Sequence, residues 1–264
     1  MEEQKKEEQK KIAVVTGASS GMGREFVRQI GYFYRDLDEI WVIARRRGRL
    51  EQLREESRLP LRIFEGDLMK KQVYKEYHNA LREFSPNVRM LVNGAGFGKS
   101  GTFTDIAAKG RKLQTDMVDL NCSALTRMTQ MTLPWMGRGG RILNLASAAA
   151  FCPQPEFAVY AATKSYVLSF SRALGAELRQ SAIYVTAVCP GPVDTEFFIV
   201  SGELTDPLKK LSVAKAPEVV HKALKDSRKK RPLSVYGAGM KAARAGAKLV
   251  PHGLILKAEG LFTK

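Results

Sequence analysis

A short apolar run followed at once by a glycine-rich segment constrains the fold most strongly. Ile12 to Thr16 reads I-A-V-V-T, and the next residues read G-A-S-S-G-M-G. Such a run is typical of a strand buried on both faces, as in a parallel sheet. Arg24 to Phe33 then has apolar residues at helical spacing. The sequence therefore predicts a strand, a glycine turn and a helix, a context in which backbone N–H groups can approach a pyrophosphate at the helix N-terminus.

The alternation of short apolar runs with helical patterns continues along the chain. Further strands are predicted at Ile40 to Ala44, Leu61 to Glu65, Met90 to Val92, Arg141 to Ala146, Ile183 to Val188 and Leu233 to Tyr236. Helices are predicted at Lys70 to Phe84, from Thr104 to Met136 without a break, from the Tyr160 region to about Gln180, and from Pro217 to about Arg228. This alternation predicts an α/β fold: a single-domain Rossmann fold with a doubly wound parallel sheet of about seven strands and helices on both faces. Ligands bind such sheets at the carboxyl ends of the strands.

Size and composition favour one globular domain behind a solvated tail. The chain has 264 residues, of which 44% are hydrophobic, and α/β folds of about 250 residues are routinely single domains. Residues 1–11 carry four acids and four bases without an apolar signal region, so we expect a tail followed by one domain over 12–264. Three scattered cysteines, Cys122, Cys152 and Cys189, suggest reduced thiols and a cytoplasmic location. No metal site is predicted.

The positive charge is concentrated near the C-terminus. The formal net charge is +16, and Lys209 to Lys264 holds fourteen Lys or Arg against three acids. No recognised nucleic-acid motif accompanies these bases, so we expect no nucleic-acid partner. Within the basic apolar segment 240–264, Leu249 to Leu256 places apolar residues among lysines, which favours peripheral membrane contact. The same segment could instead line a substrate entrance or a subunit contact.

Three arginines end the second predicted strand and bear on cofactor choice. In a dinucleotide fold, an acid at this point accepts from the ribose 2′-OH of NAD, but this chain has Arg45, Arg46 and Arg47. Arginines suit the 2′-phosphate of NADP(H), with about a ten- to hundredfold preference from charge-assisted hydrogen bonds. The alternative is that they merely cap the strand and begin a polar helix through Leu50 and Leu53.

Ser147, Tyr160 and Lys164 form a candidate acid/base group. Tyr160 and Lys164 are four residues apart and would lie on one face of a helix. An unperturbed tyrosine has a pKa near 10, and a neighbouring ammonium would lower it toward the working range of an acid/base catalyst. The alternative is a surface helix in which this spacing is incidental.

Taken together, these residues resemble the classical short-chain dehydrogenase/reductases over nearly the whole chain after about residue 11. T-G-A-S-S-G-M-G looks like the cofactor loop of that family, N-G-A-G at Asn93 to Gly96 like its N-N-A-G, and P-G-P-V-D-T at Pro190 to Thr195 like its P-G motif. Asn121, Ser147, Tyr160 and Lys164 match its catalytic tetrad. Gly94 departs from the family pattern, in which Asn is usual, and leaves the matching Asn93 in place.

The resemblance implies a role for each matched residue. Tyr160 would exchange a proton with the substrate oxygen, which Ser147 would hold. Lys164 would lower the Tyr160 pKa and bind the nicotinamide ribose, and Asn121 would kink its helix and hold a water linked to Lys164. Asp67 would contact the adenine, and Thr195 and the backbone near Val193 would fix the carboxamide. The expected NADP(H)-binding residues are Gly17, Ser19, Ser20, Gly21, Met22, Gly23, Arg45, Arg46, Asp67, Leu68, Asn93, Gly94, Ala95, Tyr160, Lys164, Pro190, Gly191, Val193 and Thr195.

The motifs leave the substrate open, although nearby phenylalanines suggest an apolar pocket. An irregular segment, 196–216, suits a loop over the substrate site. The phenylalanines nearby are Phe97, Phe103, Phe151, Phe157, Phe197 and Phe198. We therefore expect a ketone or secondary alcohol on a steroid-like or long-chain acyl molecule, and the resemblance implies a homodimer or homotetramer. Two alternatives are a catalytically silent NADP-binding sensor or scaffold and a membrane-associated lipid-modifying reductase.

Overall fold

The computed structural model of the chain describes residues 9–197, 201 and 213–262. The strands in these ranges are β1 (Lys11–Thr16), β2 (Glu39–Ala44), β3 (Leu61–Glu65), β4 (Asn87–Asn93), β5 (Arg141–Leu145), β6 (Tyr184–Val188), β7 (Val193–Asp194), β8 (Ala214–Lys215) and β9 (Leu233–Ser234). Strands β7 and β8 pair with each other, and the others form one parallel sheet in the order β3, β2, β1, β4, β5, β6, β9. The predicted doubly wound sheet of seven strands is confirmed.

Helices follow most of these strands. They are α1 (Gly21–Phe33), α2 (Arg47–Glu56), α3 (Lys71–Phe84), α4 (Phe103–Lys109), α5 (Leu113–Val118), α6 (Leu125–Thr132), α7 (Ala158–Glu177), α8 (Ala216–Arg228), α9 (Ala238–Leu249) and α10 (His252–Phe262). A π-helical turn, Asp119–Ala124, joins α5 to α6, and short 3-10 turns occur at Leu133–Trp135 and Ala148–Ala150.

The sheet is covered on both faces because alternate residues of its strands point in opposite directions. Val15 of β1 belongs to one core cluster with Phe26 of α1, and α2 and α8 contribute to the same cluster. Val14 belongs to a second cluster with Tyr77 of α3 and Met128 of α6. This arrangement explains why the strands read as continuous apolar runs instead of alternating with polar residues.

The single helix predicted between Thr104 and Met136 is wrong. Helix α4 ends at Lys109, Gly110 caps it, and α5 begins at Leu113 after a turn. Glycine is a poor helix former because it loses more backbone entropy than other residues. The remainder is helical to Trp135 but widens into the π turn that contains Asn121, and π turns are a recognised cause of helix kinks.

Other differences from the sequence predictions are small. Strand β1 begins at Lys11, α7 ends at Glu177 and β9 ends at Ser234. The first eight residues of the predicted tail, and most of the predicted loop at 196–216, lie outside the described residues. The basic segment after residue 240 falls in α9 and α10, which are separated at Val250 and Pro251. In the described part of the chain, no helix has the length and apolar character needed to cross a membrane.

Candidate active site

The site begins at the crevice between the carboxyl ends of β1 and β4. The chain leaves β1 toward β2 and β3 on one side, and β4 starts the other half of the sheet. In open α/β sheets, ligands bind in the crevice where the strand order reverses in this way. The Thr16 hydroxyl accepts hydrogen bonds from the backbone N–H groups of Gly94 at 3.0 Å and Ala95 at 3.2 Å. Thr16, which the sequence did not single out, therefore joins the two glycine turns.

The turn after β1 requires its glycines. Gly17 has a φ of 70°, and a Cβ added to it would lie 2.8 Å from backbone atoms of Ala95. A Cβ on Gly23 would lie 2.3 Å from the Gly17 carbonyl oxygen. Gly21 also has a positive φ, 52°, and faces the Thr195 side chain. The turn is thus a close-packed backbone cradle at the N-terminus of α1, as a pyrophosphate site requires.

Two arginines border this cradle. The Arg46 guanidinium donates two hydrogen bonds to the Ser19 hydroxyl, from Nε at 3.3 Å and from Nη2 at 3.2 Å. Its Nη1 donates to the Glu196 carboxylate at 2.9 Å. Arg49, in the first turn of α2, donates to the other oxygen of Glu196. Arg45 is exposed to solvent. Arg49 was missed from the sequence, although its spacing of three residues from Arg46 within R-R-R-G-R was a usable signal.

Other residues expected to bind cofactor lie around the same edge of the sheet. Asp67 follows β3 and accepts from the Met69 N–H at 2.9 Å, and Leu68 beside it is buried. The Asn93 amide is buried and donates to Asn144 at 2.8 Å, so its side chain ties β4 to β5. The Pro190 carbonyl accepts from the Ala148 N–H at 2.7 Å, and Val193 is buried in β7. Contacts of Ser20, Met22, Gly191 and the other expected ligands with a cofactor remain predictions.

Ser147, Tyr160 and Lys164 come together at the carboxyl end of β5. Ser147 follows β5; its hydroxyl accepts from the Ala149 N–H at 3.1 Å and acts to lower the pKa of the Tyr160 phenol. Lys164, one turn along α7, donates from Nζ to the Leu145 carbonyl at 2.7 Å. The Lys164 Nζ lies 5.5 Å from the centroid of the Tyr160 ring. The three side chains therefore form one compact polar group inside an apolar wall.

The pKa values in this group follow from burial. Burial raises the pKa of Tyr160 to about 12, against the opposing effect of the Ser147 hydrogen bond. Burial also lowers the pKa of Lys164 to about 8. The expected lowering of the Tyr160 pKa by Lys164 is not found: desolvation of the phenol is the largest effect, and Ser147 is the group that opposes it.

Aromatic side chains cause that burial. The Phe157 ring stacks on Tyr160 with centroids 4.3 Å apart, and the Phe197 ring lies 5.5 Å away on a tilted plane. Phe97 packs against the same cluster. Of the other expected pocket residues, Phe151 lines a cleft of about 460 Å³ together with His252 and Leu256 of α10, Phe103 is exposed, and Phe198 lies outside the described residues.

Asn121 fixes the backbone next to Lys164. Its Oδ1 accepts from the Phe97 N–H at 3.0 Å, and its Nδ2 donates to the Phe97 carbonyl at 2.9 Å and to the Thr163 hydroxyl at 3.0 Å. A Cβ added to Gly96 would lie 2.7 Å from Asn121 Oδ1 and 3.5 Å from Lys164 Nζ. The π turn thus aims the amide at the segment after β4, and the expected water between Asn121 and Lys164 remains a prediction.

Across residues 9–197, 201 and 213–262, no group of three or more His, Cys, Asp or Glu side chains is placed to hold a metal ion. The doubly wound sheet with its glycine turn is the fold of a nucleotide-binding protein, and Ser147, Tyr160 and Lys164 are its candidate acid/base group.

Comparison with known proteins gives the family. The model of the short chain dehydrogenase family matches residues 11–203. The chain is 31% identical to a protein of Staphylococcus epidermidis described as an uncharacterized oxidoreductase, over 188 residues that make up 70% of this chain and 79% of that protein. The chain therefore belongs to the short-chain dehydrogenase/reductase family and is an oxidoreductase.

Solved structures agree with this assignment over most of the chain. A short-chain dehydrogenase from Sphingobium yanoikuyae, in complex with NADPH, superposes with a TM-score of 0.74 at 29% identity, covering 93% of this chain and 95% of that one. A bulky-bulky ketone specific alcohol dehydrogenase from Comamonas testosteroni superposes with a TM-score of 0.70 at 26% identity, covering 96% and 94%. The similarity thus extends past the region that the family model matches.

Proposed function

We propose that the chain is an NADP(H)-dependent oxidoreductase that interconverts a ketone and a secondary alcohol on a hydrophobic substrate. The observation that carries the proposal is the group formed by Ser147 and the buried Tyr160 and Lys164, beside a crevice bordered by Arg46. The group that would transfer a proton and the crevice that would bind the nucleotide thus lie side by side at the same edge of the sheet.

The cofactor is NADP(H), and the crevice has the donors and the shape that it needs. The turn from Gly17 to Gly23 leaves no room for a Cβ at either end, so the backbone can approach a pyrophosphate closely. Arg46 and Arg49 already hold a carboxylate, which shows that their donors can bind an anion. The Sphingobium structure in complex with NADPH supports the same choice. When bound, the nicotinamide supplies or accepts the hydride.

The chain's own residues would hold the substrate oxygen and move its proton. Ser147 would donate a hydrogen bond to the substrate carbonyl oxygen, where negative charge develops during reduction. Tyr160, whose pKa is raised to about 12 by burial, is protonated at neutral pH and would give its proton to that oxygen. Lys164, with a pKa lowered to about 8 by burial, would return a proton to the group near neutral pH.

A bulky apolar substrate is the finer part of the proposal. Phe97, Phe157 and Phe197 pack around Tyr160, so a substrate that reaches the phenol meets aromatic surface. The Comamonas enzyme, which is described as bulky-bulky ketone specific, supports a substrate of that size. Steroid-like ketones and long-chain 3-oxoacyl compounds are the two classes that we propose.

The direct test is a screen of both substrate classes, followed by the loss of NADPH absorbance and repeated with NADH. We expect oxidation of NADPH with at least one bulky ketone, and Tyr160→Phe should reduce the rate at least about a hundredfold because the proton donor is lost. Tyr166→Phe is the matched control, since Tyr166 lies on the same helix, is exposed and pairs with Thr126. Binding of NADPH without turnover on any carbonyl would support the silent sensor instead.

Contact with a membrane surface is a second proposal, favoured by the exposed side chains of α9 and α10. Leu249 is 84% exposed, and Leu254 and Leu256 are also exposed. The lysines and arginine around them are Lys241, Arg244, Lys248 and Lys257. Apolar side chains among bases suit the interface of an anionic bilayer. Flotation with phosphatidylglycerol vesicles tests this, because Leu249→Ser with Leu254→Ser should abolish co-flotation, and equal flotation of the variant and the natural chain would contradict it.

Assembly and location remain proposals. We propose a homodimer or homotetramer, as the resemblance implies, and a cytoplasmic location, as the small number of scattered cysteines suggests. Light scattering on a sizing column would distinguish a monomer from either oligomer, and a monomeric mass would overturn the first of these proposals.

A further inference from the structure

A glutamate holds the two arginines that border the cofactor crevice. Arg46 donates to Oε2 of Glu196 at 2.9 Å, and Arg49 donates to Oε1 of the same carboxylate. Glu196 is two residues beyond β7 and about 150 positions from these arginines. The pairing therefore draws the start of the 196–216 segment across the crevice toward the end of β2.

A phosphate could replace the Glu196 carboxylate on the two arginines. Arg46 is also anchored to the Ser19 hydroxyl by two hydrogen bonds, so its guanidinium stays at the glycine turn whichever anion it holds. The side chains of Arg46, Arg49 and Glu196 are each about two-fifths exposed, and exposed ion pairs are individually weak. A phosphate offers the same kind of acceptor oxygens with more negative charge.

The residue after Glu196 covers the Tyr160 phenol. Phe197 directly follows Glu196, and its ring lies 5.5 Å from the Tyr160 ring. A Cβ added to Gly98 would lie 2.8 Å both from Phe197 Cζ and from Tyr160 Cδ2, so the three are tightly packed. Tyr160 is only 8% exposed. Holding Glu196 in place therefore also holds an aromatic cover over the phenol.

We propose that Glu196 is an internal competitor of the NADP(H) 2′-phosphate for Arg46 and Arg49, and that its displacement releases Phe197 from Tyr160. This inference rests on the proposed NADP(H)-dependent function. Glu196 would then make the cofactor bind before the substrate, because the phenol becomes accessible to a carbonyl substrate only after the nucleotide is bound. NADH, which has no 2′-phosphate, would leave Glu196 on the two arginines, and the Tyr160 phenol would stay covered by Phe197.

Calorimetric titration with 2′,5′-ADP and with 5′-ADP tests the competition. Both probes carry the adenosine half of the cofactor, and only the first carries the 2′-phosphate. In Glu196→Gln we expect 2′,5′-ADP to bind about five- to tenfold more tightly than in the natural chain at low ionic strength, with the 5′-ADP affinity unchanged. Equal affinity of both proteins for 2′,5′-ADP, or an equal gain for both probes, would overturn the proposal.

Two further variants separate this proposal from the proposed function. Glu51→Gln removes a carboxylate that pairs with Arg47 and Arg54 of the same helix, so it should leave both affinities unchanged. The double variant Arg46→Ala, Arg49→Ala should lose affinity for 2′,5′-ADP. Unchanged 2′,5′-ADP affinity in that double variant would overturn the cofactor assignment itself, whereas a failure of Glu196→Gln alone would leave that assignment standing.

Chemical labelling tests the link to the phenol. N-acetylimidazole acetylates accessible tyrosines, and mass spectrometry of peptides reports Tyr160 separately from Tyr32, which is 63% exposed and serves as the internal reference. We expect saturating 2′,5′-ADP, which lacks the nicotinamide, to increase labelling of Tyr160 in the natural chain. Glu196→Gln should show the increased labelling without any nucleotide. Labelling of Tyr160 that 2′,5′-ADP and Glu196→Gln leave unchanged would refute the release of Phe197.

Discussion

Replacing Lys164 by methionine is expected to stabilise the protein while removing its activity. The Lys164 ammonium is buried, and burial lowers its pKa from 10.5 to about 8. At about 1.4 kcal/mol for each pKa unit, keeping this side chain charged at neutral pH costs the folded state about 3 kcal/mol. Methionine has a similar length and no charge. It also loses the hydrogen bond to the Leu145 carbonyl, which costs about 1 kcal/mol.

The expected net gain is therefore about 2 kcal/mol in the free energy of unfolding at pH 7, or a rise of about 4–8 °C in the melting temperature for a chain of this size. The dependence on pH is the decisive feature. The unfolded lysine titrates near 10.5 and the folded one near 8, so the natural chain carries the full penalty below pH 8 and recovers as the pH rises toward 10.5. The advantage of Lys164→Met should shrink over that window.

Urea denaturation monitored by tryptophan fluorescence between pH 6.5 and 10 measures this difference. Lys225→Met on the exposed side of α8 is the control, and its stability relative to the natural chain should not follow the same curve. A Lys164→Met variant that is less stable than the natural chain at pH 6.5, or a difference that does not change with pH, would refute the reasoning.

Two more predictions concern the glycine turn and the end of the sheet. Gly23→Ala should lower the melting temperature and abolish NADPH binding, because its Cβ would lie 2.3 Å from the Gly17 carbonyl oxygen. Gly48→Ala in α2, where a Cβ would have no atom within 4 Å, is the control and should be neutral or stabilising by about 0.5–1 kcal/mol. Calorimetry measures the melting temperature and the NADPH affinity of both variants. Asp226→Asn should cost about 2 kcal/mol at pH 7, since the Asp226 carboxylate accepts from Lys222, Arg231 and Ser234. Burial opposes ionisation of Asp226, but these partners outweigh burial and lower the Asp226 pKa. The difference in the free energy of unfolding between the variant and the natural chain should therefore persist above pH 4 and shrink as the pH falls further. Denaturation at pH 7 and pH 3 measures this difference.

The sheet was predictable from sequence because its information is local. Each strand buried on both faces reads as a short apolar run, and β1, β2 and β3 lie within one residue of their predicted limits. The break at Gly110 was not recognised because apolar residues continue at helical spacing on both sides of it. A single glycine can be tolerated inside a helix, so the pattern alone did not decide between a break and a continuous helix.

The sequence predicted that Ser147, Tyr160 and Lys164 lie together, but it did not predict the electrostatics around them. Ser147, Tyr160 and Lys164 are marked by spacing and by their places at the strand end and helix face. The Tyr160 pKa is raised by burial, and Phe197, a residue 37 positions away, contributes to that burial. The carboxylate on Arg46 and Arg49 likewise comes from Glu196, far along the chain. Neither contact leaves a periodic or local signal in the sequence.

The Thr16 hydroxyl gives the two halves of the molecule a common fixed point. Thr16 belongs to β1, yet its hydroxyl accepts from the N–H groups of Gly94 and Ala95, which begin the turn after β4. A nucleotide that shifts the backbone of one turn should therefore shift the backbone of the other, because both turns are held by this hydroxyl. Changes that are each tolerated in one turn should combine badly when made in both, so this single oxygen limits how far either half of the crevice can vary without the other.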